Sequence, residues 1–336
     1  MDERLARWLK FALALAVSAA FTALFLLNTD LDAVADALAG ANYLYVVPGL
    51  ALFAVSVAAR AVRWHYLYRP HRDLDWRGIL PSLLVGYAGN NLLPLRAGEL
   101  LRAQHVADRA GVPRMVTFGT FIMERLFDFM VLATFVLWGV LLAGVSGAYL
   151  GVALLLATGT AAGFVVAVVL AHRPTLLSRL MSHPWPLVPE RIRLELGSLS
   201  ESFFSGFSCL TSAYQFVAVC AVTAVAWGLE LAMYWVVSNA FELDVDFITI
   251  AFAGAAANVA MSVPSAQGGV GPFQYYAKEA LLKFQVSGPT AAAYAVALHI
   301  FLVAPVSLIG LLVLWRSTMP SARAVQAPAP AAEAVE

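Results

Sequence analysis

Six unbroken apolar runs, at residues 10–27, 43–64, 114–143, 149–171, 213–237 and 290–315, are each long enough to cross a bilayer as a helix. Two further apolar stretches, 78–110 and 247–283, are interrupted about midway, the first by Pro94 and Gly98 and the second by Pro264, Gly268, Gly269 and Gly271. Broken backbone at membrane depth is tolerated only where protein or a water-filled cavity satisfies its polar groups, so each stretch reads as a helical hairpin that enters the membrane and turns back. Residues 172–212 interleave charges with Leu, Ile and Phe and predict an amphipathic helix in the membrane interface. The Pro/Ala-rich tail, 317–336, reads as disordered. The basic start before the first run also fits a cleaved leader, but its 17 apolar residues, 11–27, exceed the usual leader core and read as a retained span.

Composition agrees with a polytopic membrane protein: of 336 residues 61% are hydrophobic and 12% charged, and the mean hydropathy is +0.78. A soluble domain carries about a quarter charged residues. The formal net charge is zero, so no global field favours nucleic acid, and the placement of charge matters instead. Arg4, Arg7 and Lys10 precede the first span. Arg63, Arg69, Arg72 and Arg77 follow the second, and Arg102, Arg109 and Arg114 lie between the first hairpin and the third span. Arg173, Arg179, Arg191 and Arg193 follow the fourth span, and Arg316 and Arg323 the sixth. All fall on one side if the N-terminus is cytoplasmic, while 28–40, 144–148 and 241–246 on the other side hold no Lys or Arg. Only Lys278 and Lys283 fall on the outer side. The pattern predicts a multi-pass protein of the inner (cytoplasmic) membrane with both termini cytoplasmic.

This topology requires the first hairpin to open from the cytoplasm and the second from outside. At an offset of 170 residues "PLRAGE" (94–99) aligns with "PSAQGG" (264–269), and Arg60 aligns with Glu230. The expected fold is an all-α polytopic membrane protein, six spans plus two broken re-entrant hairpins, in an inverted-topology repeat of residues 1–145 and 146–316.

The candidate chemistry lies in charges at membrane depth, each of which costs about 2.5 to 3.5 kcal/mol at a span centre unless paired or hydrated. They are Arg96 and Glu99 in the first hairpin and Glu124, Arg125 and Asp128 in the third span, with Arg60 and Glu230 nearer span ends. Glu124 and Asp128 are four apart and share a helix face, open to Arg96 or Arg102 from the hairpin. They serve either as scaffold salt bridges or as part of a polar path. Arg96, two residues after Pro94 at the broken tip, suits an anion, because its planar fork can bind two phosphate oxygens. Asn90, Asn91, Asn258 and Gln267 either line the same cavity or cap broken backbone. His299, in mid-span, reads as a packed, hydrogen-bonded histidine, with a proton relay as the alternative. Cys209 and Cys220 suggest neither a disulfide framework nor a metal site, and the six histidines lack metal-ligand spacing. No nucleophile–base pattern, nucleotide fingerprint or cofactor motif occurs, which argues against an enzyme.

"GNNLLPLRAGELLR", then "ERLFD", then "VPSAQGGVGPFQ" resemble the flippase-like family named after the transmembrane region of lysylphosphatidylglycerol synthases. Asn91, Pro94, Arg96, Gly98 and Glu99 match its first motif, Glu124, Arg125 and Asp128 its second, and Pro264, Gly268, Gly269 and Gly271 its third. Ala266 and Gln267 depart from the Pro-Gly pair that relatives often carry. The resemblance implies movement of a phospholipid, glycolipid or polyisoprenoid-linked lipid between leaflets, by a chain without the soluble aminoacyl-transferring domain. Membrane lipids, and a separate lipid-modifying enzyme, are the partners it implies. The expected substrate-binding set is Asn90, Asn91, Arg96, Glu99, Arg102, Glu124, Arg125, Asp128, Asn258 and Gln267. Two other readings of the same architecture are an ion-coupled small-solute transporter and a non-transporting scaffold for a lipid-modifying enzyme.

Overall fold

The structure, a computed structural model, describes residues 3–27, 29–93, 97–143, 148–173, 190–262 and 267–318. Among them are twelve α-helices and no strand. They are α1 (Glu3–Leu27), α2 (Leu31–Ala39), α3 (Val46–Tyr68), α4 (Trp76–Leu92), α5 (Gly98–Ala110), α6 (Arg114–Ala143), α7 (Ala148–His172), α8 (Glu190–Ser205), α9 (Ala213–Asn239), α10 (Phe247–Ala260), α11 (Pro272–Leu282) and α12 (Gly288–Thr318). Five helices, α3, α6, α7, α9 and α12, are long and apolar enough to cross a membrane, and α1 with the bent α2 makes a sixth candidate. Leu155 on α7, Val47 on α3 and Ile300 on α12 stay exposed, as side chains solvated by lipid would.

Local signals set the helix ends. Asp30 caps α2 by accepting hydrogen bonds from the Asp32 and Ala33 amides at 3.1 Å, and Asp246 caps α10 by accepting the Thr249 amide at 2.7 Å. Gly111 closes α5 at φ 64°, a left-handed conformation that glycine adopts without a side-chain penalty. The expected outer loop at 28–40 therefore contains a capped helix, α2, which bends 86° from α1 and packs on α12.

Both interrupted stretches form two helices that pack on each other, α4 with α5 and α10 with α11. In the first pair Gly98 lies against Gly89 and the Gly86 carbonyl; a side chain there would overlap the α4 backbone. Gly271, at φ 94°, starts α11 against the Ser18 carbonyl and Thr22 of α1. Ser18 Oγ donates to the Val270 carbonyl at 2.7 Å, so α1 binds the base of the second pair.

Helices α3 and α9 are closely packed neighbours that run antiparallel. The Asn42 amide donates to the Ala240 carbonyl at 2.8 Å, Ser56 Oγ to the Ala226 carbonyl at 2.9 Å, and the Arg69 guanidinium lies 5.9 Å from the Tyr214 ring. Residue numbers rise along one helix as they fall along the other.

One of the sequence-based placements is corrected. Arg63 is no loop charge: α3 continues through Trp64, Leu67 and Tyr68, all fully buried, and Arg63 is buried among the helices. Lys278, expected on the same side as 28–40, packs against that stretch. It is 3% exposed, and its Nζ donates to Thr29 Oγ1 at 2.6 Å, tying α11 to the end of α1.

Candidate functional site

Helical periodicity gathers the site. On α3, Arg60 and Arg63 are one turn apart and face the same way; on α6, Glu124 and Asp128 share a face, with Arg125 one turn before Asp128 beside it; on α9, Trp227, Glu230 and Tyr234 form one stripe. Where these three helices and α5 meet, seven charged side chains form one network. Glu124, 1% exposed, accepts from Arg63 at 2.8 Å, Arg102 at 2.9 Å and Arg125 at 3.2 Å. Asp128 accepts from Arg63 at 2.6 Å and lies 3.5 Å from Arg125 and 3.9 Å from Arg60. The Trp227 indole N–H donates to the same carboxylate at 2.8 Å. Glu230 accepts from Arg60 at 2.6 Å and from the Tyr234 hydroxyl at 2.8 Å, and that hydroxyl accepts from Asn258 Nδ2 at 2.9 Å.

Charges this deep persist because each is paired, since a lone buried ion costs several kcal/mol. Aromatic faces complete the shell. The Arg102 guanidinium lies 3.1 Å from the centre of the Trp64 ring and 4.7 Å from that of Phe121. Arg60 lies 4.8 Å from the Trp227 ring centre. Such contacts stabilise a desolvated cation without adding a countercharge.

The network lines a cavity of about 220 Å³. Arg60, Arg125, Asp128 and Glu230 face it, with Glu99, Asn90, Asn91 and Asn258 among the other polar lining residues. Apolar side chains line it too: Phe53, Val57, Leu93, Met261, Leu302, Val303 and Val306. Arg125 is the most open of the paired arginines, with 43% of its side chain exposed, whereas Arg63 shows none. Asn91 donates to Ser307 Oγ of α12 at 3.0 Å. Asn90 Oδ1 is buried and has no hydrogen-bond partner among the described residues. His299 is packed as expected, hydrogen-bonded to Gln274 and, at 2.8 Å, to the Gly268 carbonyl.

Of the candidates named from sequence, Asn90, Asn91, Glu99, Arg125, Asp128, Asn258, Gly268 and Gly269 line this cavity, and Arg102 and Glu124 lie behind its wall. Gly98 and Gly271 shape the helix pairs. Arg96, Pro94, Pro264 and the side chain of Gln267 lie outside the described residues. Arg102 reaches Glu124 as expected, but the cation shared by Glu124 and Asp128 from a neighbouring element is Arg63 of α3. Arg60 and Glu230, assigned to span ends by the sequence, are central. Their 170-residue offset was the available signal.

A bundle of long apolar helices around a buried charge network and a cavity of mixed polar and apolar lining defines a polytopic helical membrane protein. The family model described as the lysylphosphatidylglycerol synthase TM region matches residues 11–310, and the chain belongs to that family. Glycosyltransferase AglD of Haloferax volcanii is 29% identical over 165 residues, 48% of this chain and 26% of that protein. The chain thus spans about a quarter of the length of this curated relative. No solved structure matches it.

Proposed function

We propose that the chain is a carrier, not an enzyme, that moves a lipid with an anionic or polar head group between the leaflets of the cytoplasmic membrane. The observation that carries this reading is the mixed lining of the cavity: the Arg125 side chain, 43% exposed, stands among its charged residues, and seven apolar side chains line the same cavity. A guanidinium fork suits a phosphate, and the apolar side chains suit the first carbons of a lipid tail. Family membership supports a lipid-related role. The similarity to part of a protein named as a glycosyltransferase supports a role as membrane partner of a group-transferring enzyme.

An inverted repeat would supply the rocking motion that alternating access requires. Shifted by 170 residues, α3, α4, α5 and α6 fall on α9, α10, α11 and α12 to within a few residues. If a twofold axis relates the two sets, equivalent residues meet where it crosses the antiparallel α3 and α9. Ser56 with Ala226 and Arg60 with Glu230 are such pairs, each separated by 170 residues. In this arrangement both termini are cytoplasmic.

The test is head-group translocation in proteoliposomes, using fluorescent phosphatidylglycerol and an isoprenyl-phosphate probe. Arg125→Gln removes a charged hydrogen-bond donor worth about 1.5 to 3 kcal/mol and is expected to slow translocation by about ten- to a hundredfold. A folded Arg125→Gln protein that translocates at the wild-type rate would refute the assignment. The cavity also has the size of a small solute; uptake of a soluble organic anion, with no lipid probe moved, would favour that reading.

A further inference from the structure

We infer that transport is coupled to a proton carried by Glu230: an anionic head group that takes Arg60 leaves the Glu230 carboxylate to bind H⁺. The inference rests on the carrier reading above. Its basis is an asymmetry among the three paired carboxylates. Glu124 contacts three guanidinium groups and Asp128 three, so losing one leaves each with two. Among the described residues Glu230 has one, Arg60 at 2.6 Å. Glu230 is 5% exposed yet lines the cavity, and so does Arg60. A ligand in the cavity competes for the one cation that Glu230 holds among the described residues.

Among the described residues no other cation pairs with Glu230. On its own helix Glu230 meets the Tyr234 hydroxyl, while Trp227 is committed to Asp128. From α6 come Asp128, of the same sign and 3.9 Å from Arg60, and Arg125, which lines the same cavity but is held by Glu124 and Asp128; from α3 Arg63 is likewise held by both of those carboxylates. Helix α10 contributes Asn258, through Tyr234, and has no ionisable side chain. Helix α12 contributes Tyr294, whose hydroxyl is spent on the Tyr234 carbonyl at 3.0 Å. Helix α4 contributes Tyr87 to the cavity wall. A carboxylate stripped of its cation in such a place is stabilised by protonation.

The step balances. The Arg60–Glu230 ion pair, a phosphate monoanion and one proton become an Arg60–phosphate ion pair and a neutral carboxyl. No net charge is added to the membrane interior, and release of the head group returns the proton. Because Tyr234 links Glu230 to Asn258, the change of protonation reaches α10 of the second helix pair directly.

The experiment uses the full chain in proteoliposomes, fluorescent phosphatidylglycerol as probe, and an imposed gradient of about one pH unit, a tenfold driving force for one proton. Wild type is expected to change its translocation rate several-fold with the direction of the gradient, and Glu230→Gln to translocate without regard to it. In parallel, wild type in detergent mixed with dioctanoyl phosphatidylglycerol and a pH-indicator dye is expected to take up about one proton per bound lipid. This second measurement decides the matter if Glu230→Gln fails to fold. Translocation indifferent to the gradient, with no proton uptake, overturns the coupling and leaves the carrier reading standing. A gradient response retained in Glu230→Gln overturns the assignment to Glu230. Absence of translocation by wild type removes the carrier reading and this inference with it.

Discussion

Glu124→Gln is the most informative perturbation of the charge network. It keeps the shape of the side chain and removes the charge that three arginines share. Arg63 and Arg125 retain Asp128, at 2.6 and 3.5 Å. Arg102, 4% exposed, loses its only carboxylate among the described residues and keeps the faces of Trp64 and Phe121 and a neutral amide oxygen, none of which balances its charge. Stranding one member of a buried ion pair costs about 3 to 5 kcal/mol. With an unfolding entropy of about 2.1 cal/mol/K per residue over 336 residues, that loss lowers Tm by roughly 4 to 7 °C. The assay is thermal unfolding in detergent, followed by fluorescence-detected size exclusion, with Glu99→Gln as control because Glu99 has no ion pair among the described residues. Adding Arg102→Met removes the stranded cation and fills its volume against Trp64 and Phe121, so the double variant recovers most of the loss. A Glu124→Gln protein that melts with wild type, or a double variant no more stable than the single one, would show that the network does not hold α5 to α6.

Three further outcomes are expected. Gly98→Ala drives a methyl group into the Gly86 carbonyl and the Asn90 amide and should abolish the folded fraction on size exclusion, whereas Gly78→Ala, with open space around it, should behave as wild type. The Asp246 carboxyl is held below its ordinary value of 3.8 by hydrogen bonds from the Thr249 side chain and amide. Its contribution to the start of α10 is therefore present above about pH 4 and lost as pH falls through the lower folded value, read as faster hydrogen exchange at Thr249. Burial pushes the Cys209 thiol up to about 12, so at pH 8 it should resist maleimide until the protein unfolds, as mass spectrometry would show.

Much of the architecture was legible in the chain. Bilayer thickness sets how many apolar residues a span needs, and Pro and Gly interrupt a helix wherever they fall, so the six runs and two broken stretches reappear as α1, α3 to α7 and α9 to α12. The pairing of Glu124 and Asp128 on one face followed from their spacing of four. Arg63 was misplaced for an equally physical reason. Hydropathy marks where an apolar run thins out, not where a helix ends, and α3 continues to Tyr68 because Trp64, Leu67 and Tyr68 find a core to enter.

Apart from Arg102, expected for Glu124, partners across the bundle were beyond any local pattern. The sequence alone determined which residues carry charge at membrane depth, and the cost of leaving them unpaired required partners. Only the tertiary structure chose them: Arg63 for Glu124 and Asp128, Trp64 for the Arg102 guanidinium, Arg60 for Glu230. Helical periodicity is a property of consecutive residues, whereas the approach of α3 to α6 and α9 depends on how every helix packs at once. That packing leaves Glu230 with a single cation among the described residues and makes Arg125 the most exposed of the paired arginines.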